Sequence, residues 1–248
     1  MKTRLAFEIL PQPDDLSCGP TCLHAIYRYF GDDVPLDRII SEVPHLKEGG
    51  TLAVQLACHA LERGYRARIY TYNLQIFDPT WFAAGPGYLR ERLGAQMQKK
   101  KVAKLRAASR YYLKFLDLGG ELRFEDLTTA LIRKHMKRSI PILTGLSATY
   151  LYRSEREYGP DSEYDDLLGE PAGHFVVLCG YDREDRSVLV ADPYVYEQKS
   201  MKHLYEVNID RLVCSILLGI LTYDANLLVI EPRWGRRGDK RGRSDRRK

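Results

Sequence analysis

Cys18 stands in the segment QPDDLSCGPTC, residues 12–22, six positions after Gln12 and four before Cys22. A thiol attacks a carbonyl as its anion, and forming that anion takes a positive field or a neighbouring base. The local sequence supplies the field. In PTCLHAIYRYF, residues 20–30, Leu23, Ile26, Tyr27 and Phe30 recur on one helical face. Pro20 suits the first turn and Gly31 the C-terminal stop. Cys18 therefore falls at or just before a helix N-terminus, where free N–H groups favour negative charge.

A base must come from elsewhere in the chain. Of the six histidines, His174 opens an otherwise apolar strand in GHFVVLCGYD. The next strand, SVLVADPY, carries Asp192 at its far end, and the polar turn REDR separates the two. Paired residues of an antiparallel hairpin have a constant number sum, here near 366–368, and His174 with Asp192 gives 366. The carboxylate would then hold the imidazole's tautomer and stabilise its charged form. Acyl transfer also needs donors for the oxyanion. The N–H of Cys18 and the side-chain amide of Gln12 are the candidates.

The elements that must position these groups read in order along the chain. LDRIISEV (36–43) and TLAVQLACHALERG (51–64, capped by Thr51) are helical, and YRARIYTYNL (65–74) alternates like a strand. Residues 87–117 read as basic helix, 127–138 as helix and 140–152 as strand. IDRLVCSILL is a helix and ANLLVIEP (225–232) the last strand. Helices dominate the first half and strands the second, with one tight hairpin. This is an α+β pattern, a helical layer packed on a mostly antiparallel sheet.

The chain has 248 residues, 44% hydrophobic and 29% charged, the composition of a globular protein. Neither a signal-peptide core nor a 20-residue apolar span is read from it, which predicts a soluble cytoplasmic protein with no membrane partner. Five cysteines at irregular spacing argue for reduced thiols. The net charge of +5 hides blocks. Residues 233–248 hold nine basic residues against two Asp, and 88–115 hold nine against one Glu. Residues 153–170 hold seven acids against two Arg. A basic tail can bind nucleic acid or an acidic partner, though a solvated tail without a specific partner is the weightier reading.

Gln12, CGPTCL, GHFVVLCGYD and VLVADP, in this order, resemble the C39-like cysteine peptidase family. The resemblance covers about residues 8–80 and 138–232. It implies a papain-like fold, with Gln12 as oxyanion donor, Cys18 as nucleophile, His174 as base and Asp192 as orienting acid. The chain departs from the bacteriocin exporters of that family: Ser17 precedes the cysteine where Asp is often found, and a stand-alone member without transporter domains is expected. The expected organisation is one peptidase domain over 1–232, interrupted by a basic helical insertion at about 81–125, then a basic tail at 233–248.

The function so implied is hydrolysis of a peptide or amide bond through a thioester, on a peptide, a protein or a small amide. An acyl or aminoacyl transferase with the same residues shares the first half of the chemistry. A non-catalytic peptide-binding module would be marked by loss of one of the four residues, and none is lost. No cofactor or metal is implied: Cys18, Cys22 and His24 make a weak zinc set, because Cys22 and His24 point to different helix faces. Cys22 reads as packing, His24 as outward-facing, Cys58 and His59 as core plus surface. Asp14 and Asp15 read as turn residues that could flank a cleft.

Overall fold

The computed structural model describes residues 2–46, 50–159, 162–194 and 203–233. Strand β1 (Lys2–Arg4) precedes helices α1 (Cys18–Tyr29), α2 (Leu36–Glu42) and α3 (Ala53–Glu62). Strand β2 (Tyr65–Thr71) leads to helices α4 (Pro86–Lys99) and α5 (Ala103–Asp117), strand β3 (Glu121–Arg123) and helix α6 (Thr129–Lys137). Then come strand β4 (Ile142–Ser147), helix α7 (Ala148–Tyr152) and a small hairpin of β5 (Glu157–Tyr158) and β6 (Glu163–Tyr164). Strands β7 (Gly173–Asp182), β8 (Ser187–Ala191) and β9 (Leu204–Asn208), helix α8 (Ile209–Leu218) and strand β10 (Asn226–Pro232) complete the order.

The main sheet runs β3-β2-β10-β4-β7-β8-β9, with β1 also paired to β7. Every pairing is antiparallel except β2 with β3. The α+β architecture expected from the sequence is the one found. β7 organises it. Its ten residues are long enough to take β8 along one edge, with β4 on the first half of the other edge and β1 on the second. Its Phe175–Asp182 run is buried residue after residue, as a strand covered on both faces must be.

Against this sheet α3 packs on β2 and β10, and α5 lies over α3. That double cover explains why every residue from Ala53 to Leu61 is buried. The apolar face of α5, with Leu105, Ala108, Tyr112 and Phe115, turns inward, and its lysines and arginines are left on the remaining face. The basic 87–117 stretch is thus two helices, tied by ion pairs between Arg90 and Asp117 and from Lys114 to Glu62 of α3 at 2.7 Å.

Four local expectations change. Residues 140–152 form a strand only to Ser147. There the Ser147 hydroxyl accepts from Tyr150 N–H and caps the short helix α7, which an unbroken apolar run conceals. Thr51 does not cap α3, whose start is held by Gln55 Oε1 accepting from Leu52 N–H at 2.7 Å. His24 is buried, at 4% exposure, rather than outward-facing. Cys58 and His59 are both buried, and His59 is bonded to Tyr27 Oη at 2.8 Å and Glu42 at 3.0 Å. The tail lies outside the described residues beyond Arg233. No helix among the described residues is long and apolar enough to cross a membrane.

Candidate active site

The chain before α1 is a knot built on Asp14. Its Oδ1 accepts from Leu16 N–H at 2.9 Å and from the Ser17 hydroxyl at 2.7 Å, and its carbonyl accepts from Gln12 Nε2 at 2.8 Å. Ser17 is the residue before the helix, yet its hydroxyl is spent on Asp14, so α1 has no side-chain cap. Cys18 is the first helical residue and is half-buried. The uncapped end leaves the field of the helix to act on the sulfur. Gly19 follows because nothing larger fits: a Cβ there would lie 2.5 Å from Thr51 Oγ1 and 3.2 Å from the Phe175 ring. Its absence lets the helix start sit close against β7. Cys22, one turn on, is fully buried, and its thiol donates to the Phe175 carbonyl at 3.3 Å.

His174 is the second residue of β7, where the strand emerges toward the surface, and it pairs with Leu146 of β4. It does not pair with Asp192. The β7–β8 register is irregular between Leu178 and Gly180, and the last matched pair is Val177 with Ala191. Extended by one residue, that register sets Asp192 across from Val176, on the same face as His174 and diagonal to it. The side chains close the gap: His174 Nε2 lies 2.7 Å from Asp192 Oδ1.

Asp192 is fully buried and surrounded by donors. Besides His174, Oδ1 accepts from Tyr194 N–H at 2.9 Å. Oδ2 accepts from the phenols of Tyr152 at 2.7 Å and Tyr205 at 2.5 Å. Its backbone is fixed too, its N–H donating to the His203 carbonyl and its own carbonyl bonded to His203 Nδ1, both at 2.8 Å. Burial works against the carboxylate, but the charge of His174 and these hydrogen bonds outweigh it and hold Asp192 below the usual range. For His174, burial likewise opposes the charged ring. The Asp192 carboxylate and a hydrogen bond with Cys18 prevail and push the imidazole up to about 10. Burial and Asp192 raise both phenols, so they remain protonated donors.

Gln12 comes to the same place from the opposite side. Its N–H donates to the carbonyl of Pro193, the residue after Asp192, at 3.0 Å. Gln12 and His174 line one cleft of about 350 Å³. Its Oε1 is buried without a partner, while Nε2 is bonded only within the Asp14 knot. The structure thus brings together all four residues singled out in the sequence.

The Peptidase_C39 like family model matches residues 4–212. The chain belongs to this family. Membership in the C39-like family points to cysteine peptidase activity, and the matched span contains Gln12, Cys18, His174 and Asp192. No curated protein matches the chain in sequence. Among solved structures, a C39-like peptidase from Bacillus anthracis is 14% identical, over 95% of this chain and 100% of that one, with a TM-score of 0.49. The double glycine motif protease of an AMS/PCAT transporter, solved with its leader peptide, is 14% identical over 93% and 94%, with a TM-score of 0.43. The peptidase domain of Streptococcus ComA, a bifunctional ABC transporter, is 13% identical over 91% and 98%, with a TM-score of 0.42.

Sequence reasoning missed the supports of Asp192. Tyr152 sits on the concealed helix α7, and Tyr205 on β9, which the sequence reading did not assign. Neither tyrosine belongs to a motif. The cleft's outer wall, the β5–β6 hairpin with Glu157 and Tyr164, appeared in the sequence only as an acidic stretch. Asp14 is a turn residue, and Asp15 lines the cleft. Among the described residues, no group of three His, Cys, Asp or Glu side chains converges as a metal site.

Proposed function

We propose that the protein is a cysteine-dependent hydrolase of peptide or amide bonds, with Cys18 as nucleophile, His174 as acid and base, Asp192 as orienting acid and Gln12 as oxyanion donor. The observation that carries this reading is the buried 2.7 Å contact of His174 Nε2 with Asp192, on a ring whose protonated form the nearby Cys18 also favours. With Nε2 engaged by the carboxylate, Nδ1 is the nitrogen free to exchange a proton with sulfur.

His174 takes the Cys18 proton, and the sulfur attacks the carbonyl carbon. The carbonyl oxygen gains the charge, which the Cys18 N–H at the uncapped start of α1 and the Gln12 amide stabilise. The C–N bond breaks as His174 returns the proton to the departing amine, leaving a Cys18 thioester. A water then gives its proton to His174 and attacks the thioester, releasing the acid and restoring the thiol. Asp192 keeps the ring in one tautomer and offsets its positive charge throughout.

The test is turnover of a mixed pool of short peptides, followed by mass spectrometry, in wild-type protein and in Cys18→Ala. Cleavage by the wild type alone supports the mechanism. Equal cleavage by a folded Cys18→Ala protein overturns it.

A further inference from the structure

The outer wall of the cleft is acidic and aromatic, and its charge is unbalanced. Asp15 projects into the cleft from the loop before α1, and Glu157 from β5. The charge of each carboxylate is felt at the other, and Glu157 also feels that of His174. Among the described residues neither carboxylate has an ion-pair partner, and no lysine or arginine lines the cleft. The rings of Tyr152, Tyr164 and Tyr194 line the same space, those of Tyr152 and Tyr194 each centred 6.1 Å from the His174 ring. Among the described residues lining the cleft the one cationic group, His174, is already matched by Asp192 at 2.7 Å.

The wall is anchored. The Glu157 N–H donates to the Glu170 carbonyl at 3.0 Å, and the Glu170 N–H returns a bond at 2.8 Å. Asp165 Oδ1 accepts from Leu167 and Leu168 N–H, both at 2.8 Å. Arg156, the nearest cation in sequence to Glu157, spends its guanidinium on the carbonyls of Asp166 and Leu167 instead of on a carboxylate. The local basic residue therefore leaves the acidic wall unneutralised.

Two carboxylates facing one cavity repel. Burial, with Asp15 adding to it, holds the Glu157 carboxyl above its ordinary range against a hydrogen bond from Ser162 that favours the carboxylate. A cation entering the cleft relieves both effects. Paired carboxylates beside phenol rings fit a guanidinium or ammonium on a long apolar stem, through ion pairing and contact with the ring faces.

We propose that the cleft selects a substrate carrying an arginine or lysine side chain close to the scissile bond, with Asp15 and Glu157 as the residues that determine this specificity. This rests on the cleft being the substrate site proposed above. The preference concerns the wall of the cleft and leaves the chemistry at Cys18 unchanged.

The test separates binding from turnover by using the full-length Cys18→Ala protein. Fluorescently labelled, N-acetylated alanine-based hexapeptides carry arginine, lysine, citrulline or glutamate at one central position, and binding is read by fluorescence anisotropy. The arginine and lysine peptides are expected to bind about tenfold tighter than the citrulline peptide at low salt. That margin should shrink as salt screens it and should vanish in Asp15→Asn/Glu157→Gln, whose thermal unfolding is checked in parallel. Equal affinity for the four peptides, or a cation preference kept in the double variant, overturns the proposal. A cation preference in Cys18→Ala together with no turnover by the wild type would sustain the specificity and instead sink the hydrolase reading.

Discussion

His174 and Asp192 touch at 2.7 Å although they do not pair across the sheet. His174 is bonded through its backbone to β4, and Asp192 lies one residue past the end of β8. The contact is a diagonal one between side chains, so it depends on what holds the Asp192 carboxylate in place.

Removing the charge of Asp192 should reverse the balance at His174. Burial lowers the ring's proton affinity, and Asp192 is the leading influence raising it to about 10. In Asp192→Asn burial dominates, and the ring is expected to titrate below 6.5. Histidine NMR across pH 4–11 reads this directly. kcat should fall roughly 10³–10⁴-fold, through loss of the oriented, charge-stabilised imidazole. A ring still titrating near 10 would show that Asp192 is not its partner.

Tyr152→Phe and Tyr205→Phe each remove one donor from a fully buried carboxylate, which should cost about 1–3 kcal/mol apiece. The pH dependence has a definite sign. The folded-state pKa of Asp192 is depressed, so its stabilising contribution is present above 3.8 and lost as pH falls through the folded value. Losing a phenol raises the folded value, so the loss on acidification should begin at higher pH. Urea titrations at pH 7 and at steps below pH 4 measure both effects. Tyr variants with unchanged stability and unchanged acid sensitivity would remove the phenols from the account.

Gln12→Ala should lower kcat by roughly 10²–10³ with little change in KM, since an oxyanion donor acts on the transition state. The Asp14 knot survives this change, because its Leu16 and Ser17 bonds do not involve Gln12. An unchanged kcat would leave the oxyanion to the α1 amides alone.

Away from the cleft, Asp224 accepts from Ala53 N–H at 3.1 Å at the start of α3, and burial pushes its carboxyl up to about 7. The folded state therefore holds a proton that the unfolded chain has released between pH 3.8 and 7. Stability should decline as pH rises through that window and then level off. Asp224→Asn keeps an oxygen for Ala53 and should flatten this slope, as measured by chemical denaturation at half-unit pH steps. A slope that persists in the variant would assign it to another group.

Much of this site was legible because its groups lie at element ends. A helix starting at Cys18, a strand opening on His174 and a strand followed by Asp192 each follow from periodicity and turn chemistry. Their meeting follows from the hairpin. The hairpin arithmetic reached the right partner by the wrong contact, since the turn lies later than expected, with Asp182 paired to Ser187, and the irregularity at Cys179 moves the register only one residue back toward His174. Tyr152 and Tyr205 escaped notice for a different reason. Their role depends on where α7 and β9 are carried by the sheet, across 40 and 13 residues from Asp192. The acidic 153–170 stretch was visible as composition, but its position over the cleft is a tertiary fact.

The central claim is that Cys18 is an activated nucleophile served by His174, and thiol alkylation tests it without a known substrate. Cys22, Cys58 and Cys179 are buried, and burial pushes the latter two up to about 12, so they serve poorly as references. Cys214 is exposed and is the proper comparison. Iodoacetamide labelling at pH 6–9, read site by site by mass spectrometry, should modify Cys18 well ahead of Cys214 at neutral pH. In His174→Ala that advantage should disappear. Equal rates for Cys18 and Cys214 in the wild type, or an advantage undiminished without His174, would contradict the account.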